Sequence, residues 1–310
     1  MSKPNPSIQF VRHSNIDSQK WDLAVMQSRW PIAYAFFNYL NAVCENQWDA
    51  LIFNDYEAVF PLPFKKKLGL KYLIQPVFCQ QLGAFGSNAH VNTLDFLHAI
   101  PKYFFRVRLQ INPYFDHPMG ALLSEDRINK KGAFSGHLIL KTNLTIHLSQ
   151  PLNYNKDCQK NLQRIAEHKI EFKTHAVSID AAIEIYKNAW GEQNESLGEV
   201  QFKKFSKACT PDNSFTISAH HPIDDSVLGA AIFLISPENP VRCIHYVCAG
   251  PTEKGRSIGI MHGIVDHVIR KYHGQNVLFD FEGSSIASVA SFYKKFGAVE
   301  DSFFYFQRGF

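Results

Sequence analysis

The strongest constraint in the sequence is a helix-period stripe set between two strand-like runs. Met261, Ile264, Val265, Val268 and Ile269 recur at i, i+3, i+4, i+7 and i+8, which places all five on one face of an α-helix. The runs Arg242 to Ala249 before it and Val277 to Phe281 after it are apolar-rich and of strand length. A strand, a helix with one apolar face and a second strand make a right-handed crossover between parallel strands. The start of that helix then faces the carboxyl ends of the strands, the edge at which open α/β sheets hold ligands.

A chain of 310 residues is longer than one core usually organises, so two domains are expected. Hydrophobic residues make up 45% of the chain, with 26 Phe among them, which is apolar surface enough for two interiors. In the first half, Trp48 to Phe53 and Tyr56 to Leu62 read as a hairpin around Asn54-Asp55. A strand from Lys71 to Phe78, a helix through Leu94, Leu97 and Ile100, and an alternating strand from Phe105 to Ile111 follow. The second half opens with helices at Asn155 to His168 and Ile179 to Trp190. Strands at Ser214 to His220, Val227 to Ile235 and Arg242 to Ala249 come next, then the crossover, a helix from Ile286 to Phe296 and a last strand from Ser302 to Gln307. Each half runs hairpin, strand, helix, strand, so the expected architecture is a duplicated α/β domain with a mixed sheet (α+β in its strand pairing). The boundary is placed near Phe134, giving domains 1–134 and 135–310.

Composition narrows the function classes. The N-terminal residues Met1 to Ser7 carry two prolines and no apolar core, unlike a signal peptide. The longest apolar run, Val227 to Ile235, falls well short of the roughly 20 residues of a membrane helix, so a cytoplasmic protein without a transmembrane segment is expected. The six cysteines are scattered without a CxxC spacing, and no metal site is expected from them. His262 and Asp266, one helical turn apart, lack the HExxH context of a zinc site. A formal charge of +4 from 32 basic and 28 acidic residues does not single out DNA as a partner. Lys65-Lys66-Lys67 beside Gly69 reads as a solvated hairpin tip.

Three segments can carry chemistry. In the loop after Ala249, Gly255 and Gly259 would let a phosphate approach the backbone, and Arg256 adds a bidentate donor; an ordinary strand-to-helix turn is the competing reading. In Phe279-Asp280-Phe281-Glu282-Gly283, alternation sends Asp280 and Glu282 to one face at the carboxyl end of a strand, where a carboxylate can accept a proton from an attacking amine; a Glu282 that only caps the next helix or binds a basic neighbour is the competing reading. Tyr293, near the end of the following helix, has a hydroxyl that can protonate a leaving group. That helix is bounded by an N-cap at Ser284 or Ser285 and a stop at Gly297. His245, on the neighbouring strand, reads either as a substrate contact or as a core histidine. Lys160, Arg164 and His168 share one helical face and can meet a phosphorylated donor.

Tyr293-Lys294-Lys295-Phe296-Gly297-Ala298 resembles the sequence that closes the fourth helix of GNAT acyltransferases, and Arg256-Ser257-Ile258-Gly259-Ile260-Met261 resembles their pyrophosphate loop. Two such halves in tandem, with Lys160-Asn161-Leu162-Gln163-Arg164 opening the second, look like the Fem-type peptidoglycan-bridge aminoacyltransferases of bacteria. The resemblance implies an acyl or aminoacyl transferase with an acyl-CoA or aminoacyl-tRNA donor and a small-molecule, peptide or glycan-precursor amine as acceptor. From their positions along the chain, backbone N–H groups from Val247 to Ala249 would polarise the acyl carbonyl, Glu282 or Asp280 would assist deprotonation, and Gly255, Arg256 and Gly259 would hold the donor. Met261 stands where the loop pattern has a small residue, which would crowd a pyrophosphate. A non-catalytic peptide- or glycan-binding protein on the same fold is the alternative.

Overall fold

The computed structural model describes residues 7–87, 90–113, 115, 136–190, 197–238, 241–283 and 286–309. The chain forms two compact units, one of Met1–Lys141 with Ser302–Phe310 and the other of Thr142–Asp301. The expected boundary at Phe134 lies outside the described residues. The last strand, expected with the second domain, belongs to the first unit.

In the first unit, β1 (Ile8–Val11), β2 (Trp48–Phe53), β3 (Ala58–Lys67), β4 (Leu70–Ile74), β6 (Phe104–Ile111) and the end of β13 (Val299–Arg308) lie side by side in that order, and a short β5 (Phe85–Gly86) pairs with β3. β4 and β6 are parallel, joined across α3 (Thr93–Ala99), and the other pairs are antiparallel. Two further helices, α1 (Ser18–Met26) and α2 (Phe37–Cys44), precede β2. Asp17 caps α1 by accepting from the Gln19 and Lys20 amides, and Asn92 with Asp95 closes a capping box on α3. β3 starts later than expected because Asn54 and Tyr56 both turn the chain at positive φ. β4 stops before Pro76, which has no N–H for a ladder. Phe304 and Phe306 of β13 enter the core of this unit with Phe60, Phe96 and Val107. Arg308 then donates to the carbonyls of Ile100 and Pro101 at the end of α3, which fastens the C-terminal strand here.

In the second unit the strand order is the end of β7 (His137–His147), β12 (Val277–Asp280), β11 (Arg242–Pro251), β10 (Val227–Ile235), β9 (Ser214–His220) and β8 (Glu171–Thr174). Only β11 and β12 are parallel, joined by α8 (Met261–Tyr272) as the apolar stripe predicts. The helices α4 (Lys156–Glu167), α5 (Ile179–Trp190), α6 (Glu199–Ala208) and α9 (Ala287–Lys294) complete the unit. Ile264, Val265, Val268 and Ile269 pack on Phe279 and Phe281 in one core. The expected open loop after β11 is instead a short helix, α7 (Glu253–Ile258), capped by the Thr252 side chain on the Gly255 amide. The serines expected to cap α9 lie outside the described residues; its far end is closed by Gly297 at φ 80°.

Candidate active site

Alternation along β11 and β12 separates apolar from polar. Ile244 and Tyr246, with Phe279 and Phe281, enter the core beneath α8 and α9. The parallel register sets His245 opposite Asp280, both on the other face and both almost fully buried. Beyond the end of β12, Glu282 at φ 64° and Gly283 at φ 72° are consecutive left-handed residues. This turn carries the Glu282 carboxylate back to the same histidine: Nδ1 of His245 is 2.8 Å from Oε1 of Glu282 and 3.6 Å from Oδ2 of Asp280. The other oxygen of Asp280 accepts from Asn143 Nδ2 of β7 at 3.0 Å and from the Glu282 amide at 2.7 Å. A left-handed glutamate costs about 1 kcal/mol or more, and such strain concentrates at functional sites.

Burial opposes charge on His245, but hydrogen bonding to Asp280 and Glu282, with their negative charge, outweighs it and lifts the imidazole to about 9. His245 is therefore an imidazolium at neutral pH, held between the Asp280 and Glu282 side chains. Because the folded value lies above the ordinary 6.5, the stability it contributes is complete below pH 6.5 and is lost as pH rises through 9. The loss is about 3 kcal/mol. Denaturant titrations at several pH values between these limits check it: the wild-type chain should weaken across the window, and a His245→Gln variant should not show that slope. His245, Asp280 and Glu282 also offer one ligand atom each within 4.8 Å of one another, a set that suits a small divalent cation.

Past His245, β11 continues to Pro251 while β12 ends at Asp280, so the strand leaves one edge open. Val247 is the bulged residue, since Tyr246 pairs with Phe233 and Cys248 with Ile232. The Thr252 amide bonds the Leu228 carbonyl, and antiparallel alternation then turns Cys248 and Gly250 toward β10 and Ala249 toward the open edge. The Ala249 carbonyl there accepts from the indole Nε1 of Trp190 at 2.8 Å, and its N–H points the same way.

Tyr293 is buried, stacked on Phe281 at 4.4 Å and edge-on to Tyr246 at 6.1 Å. Burial first, then the Glu282 charge, raise its phenol, which stays protonated and available as a donor.

The residues expected to cradle a phosphate have other partners. A Cβ on Gly255 would lie 1.8 Å from the Leu228 carbonyl oxygen, so its glycine serves helix-on-strand packing. Arg256 donates to the Ala189 carbonyl at 3.0 Å and lies 4.8 Å over the Trp190 ring. Gly259 ends α7 at φ 79°. The amides of Gly259, Ile260, His262 and Gly263 all bond carbonyls between Gly255 and Ile260. Arg164 donates to the Ile258 carbonyl at 2.8 Å, closing the same turn from α4, while Lys160 of that helix is exposed. The structure thus joins His245 to Asp280 and Glu282, with the Ala249 edge farther along β11 and Tyr293 on α9, packed against Phe281 on the core face. Asn143 and Trp190 were not singled out by sequence, because neither sits in a motif.

No protein-family model and no curated protein matches the sequence. Solved structures do match across nearly the whole chain. FemX superposes with a TM-score of 0.67 at 10% identity, covering 96% of each chain. L-PGS from Bacillus licheniformis gives 0.58 at 14% identity, over 94% of this chain and 92% of that one. A conserved protein of unknown function from Bacteroides thetaiotaomicron gives 0.62 at 11% identity, over 98% and 100%. Among the described residues no helix is long and apolar enough to cross a membrane.

Proposed function

We propose, from a chain that has the tandem GNAT fold of FemX, that this protein transfers an acyl group, most specifically an aminoacyl group, from an activated ester to an acceptor amine. The observation that carries this reading is the buried His245–Asp280–Glu282 cluster at the strand ends beside the open edge of Ala249. Glu282 is the member of the cluster least enclosed, with its side chain 13% exposed. It takes the proton from the amine nitrogen as the C–N bond forms, while His245 and Asp280 hold it in place. The Ala249 N–H meets the developing oxyanion. As the carbonyl re-forms and the ester C–O bond breaks, Tyr293 protonates the departing oxygen, and the proton held by Glu282 returns to the tyrosinate. Amide, alcohol and the starting protonation states remain.

The turn at Gly259 supports a donor that does not rest on a pyrophosphate cradle. A pyrophosphate needs free amides at a helix start, and here those of Gly259, Ile260, His262 and Gly263 are spent on internal carbonyls while Arg256 is held by Ala189 and Trp190. A tRNA-borne ester does not need that loop, and Lys160, exposed on α4, is the cation we assign to a phosphate of such a donor. A ligand at about 100 times its Kd adds about 2.7 kcal/mol of stability. Thermal unfolding should register that rise with aminoacyl-tRNA and none with acetyl-CoA. A clear rise with acetyl-CoA would overturn the donor assignment.

A further inference from the structure

The geometry points to a membrane-surface contact made by the β3–β4 hairpin of the first unit, with Leu68 entering the headgroup layer of an anionic bilayer and the flanking cations holding lipid phosphates.

The hairpin closes through two residues, Leu68 at φ 51° and Gly69 at φ 77°, between the paired Lys67 and Leu70. Two positive φ angles define the turn that Asn-Gly or Asp-Gly normally fills, because a leucine side chain crowds the backbone in the left-handed region. Leu68 is also 92% exposed. It is therefore unfavourable to the fold twice over, once by conformation and once by leaving an isobutyl group in water. An apolar environment outside the folded chain removes the second of these costs.

The surroundings identify that environment. β3, β4 and β6 contain Lys65, Lys66, Lys67, Lys71, Arg106 and Arg108 and no acidic residue. Lys71 is committed to the buried Asp49 at 2.9 Å. Register places Lys65 beside Tyr72 and Lys67 beside Leu70, and continues from Tyr72 to Arg106 and from Ile74 to Arg108 on β6. One face thus carries cations interleaved with apolar groups. Phe105, 56% exposed, lies edge-on to Tyr72 at 5.9 Å. Cations alone would suit a nucleic acid as well as a lipid. An exposed leucine at the very tip, with Leu70 and Phe105 behind it, gains nothing from a phosphodiester backbone, whereas the boundary between headgroups and acyl chains accepts apolar side chains and phosphates together.

Vesicle flotation of the full chain tests this, with phosphatidylcholine vesicles prepared with and without phosphatidylglycerol. Wild-type protein should float with the phosphatidylglycerol vesicles, release as salt rises, and stay behind with phosphatidylcholine alone. Leu68→Asn should bind about tenfold more weakly, with a melting temperature equal to or above wild type, since Asn is the residue this turn prefers. Each of Lys65→Gln and Lys67→Gln should weaken binding about fivefold. Failure of wild type to float with anionic vesicles overturns the assignment, as does a Leu68→Asn variant that floats as well as wild type. Binding of uncharged tRNA that is lost in the lysine variants but untouched by Leu68→Asn, together with absent flotation, would reassign the face to nucleic acid.

Discussion

An Asp280→Ala variant is expected to lose about 3–5 kcal/mol of stability at neutral pH, the cost of breaking a buried ion pair from one side. Asp280 neutralises part of the charge on His245 and accepts from the Asn143 side chain and the Glu282 amide. Truncation leaves the imidazolium with one carboxylate and leaves two donors without their acceptor. Guanidinium titration of the unit formed by Thr142–Asp301 should show the midpoint fall. Replacing His245 by Leu in the same chain should recover part of the loss, because the buried cation is then gone. A single-variant loss below about 1 kcal/mol would mean that His245 is not charged in the folded protein.

Glu282→Gln should lower turnover by roughly 10²–10⁴-fold, the usual contribution of a positioned general base, while binding of the donor changes little. Gln keeps the shape of the side chain, so the left-handed turn at Glu282 and Gly283 persists. The measurement is amide formation from aminoacyl-tRNA and a panel of amine acceptors, alongside the thermal response to the same donor. Turnover equal to wild type would remove Glu282 from the chemistry. Absence of product from the wild-type chain, with a thermal response to peptide or glycan alone, would support the non-catalytic binding alternative.

The site was legible where its signals are local. The helix stripe beginning at Met261 located the crossover, and alternation sent Asp280 away from the core; Glu282 reaches the same histidine through a left-handed turn beyond the strand and not by alternation. The phosphate-loop reading shows the opposite case. Gly255 and Gly259 carry the spacing of a ligand cradle, yet a glycine required by close packing against Leu228 and one required by a left-handed helix end produce the same letters. Arg256 was legible as a cation; its partner, the carbonyl of Ala189 at the far end of another helix, was not.

By itself the sequence determined most of the strands and helices and the crossover through α8, because these depend on periodicities of 2 and 3.6 and on caps and turns within a few residues; β1, β8 and α6 were not read from it. Tertiary structure alone decided that His245 lies opposite Asp280, since parallel register is set by how α8 packs across the sheet and not by either strand. It decided that Asn143, 137 residues away, completes the carboxylate's partners. It also decided that the C-terminal strand closes the first unit through Arg308 on the end of α3. Each of these rests on contacts between distant segments, whose free energy depends on the packed core as a whole and leaves no periodic trace along the chain.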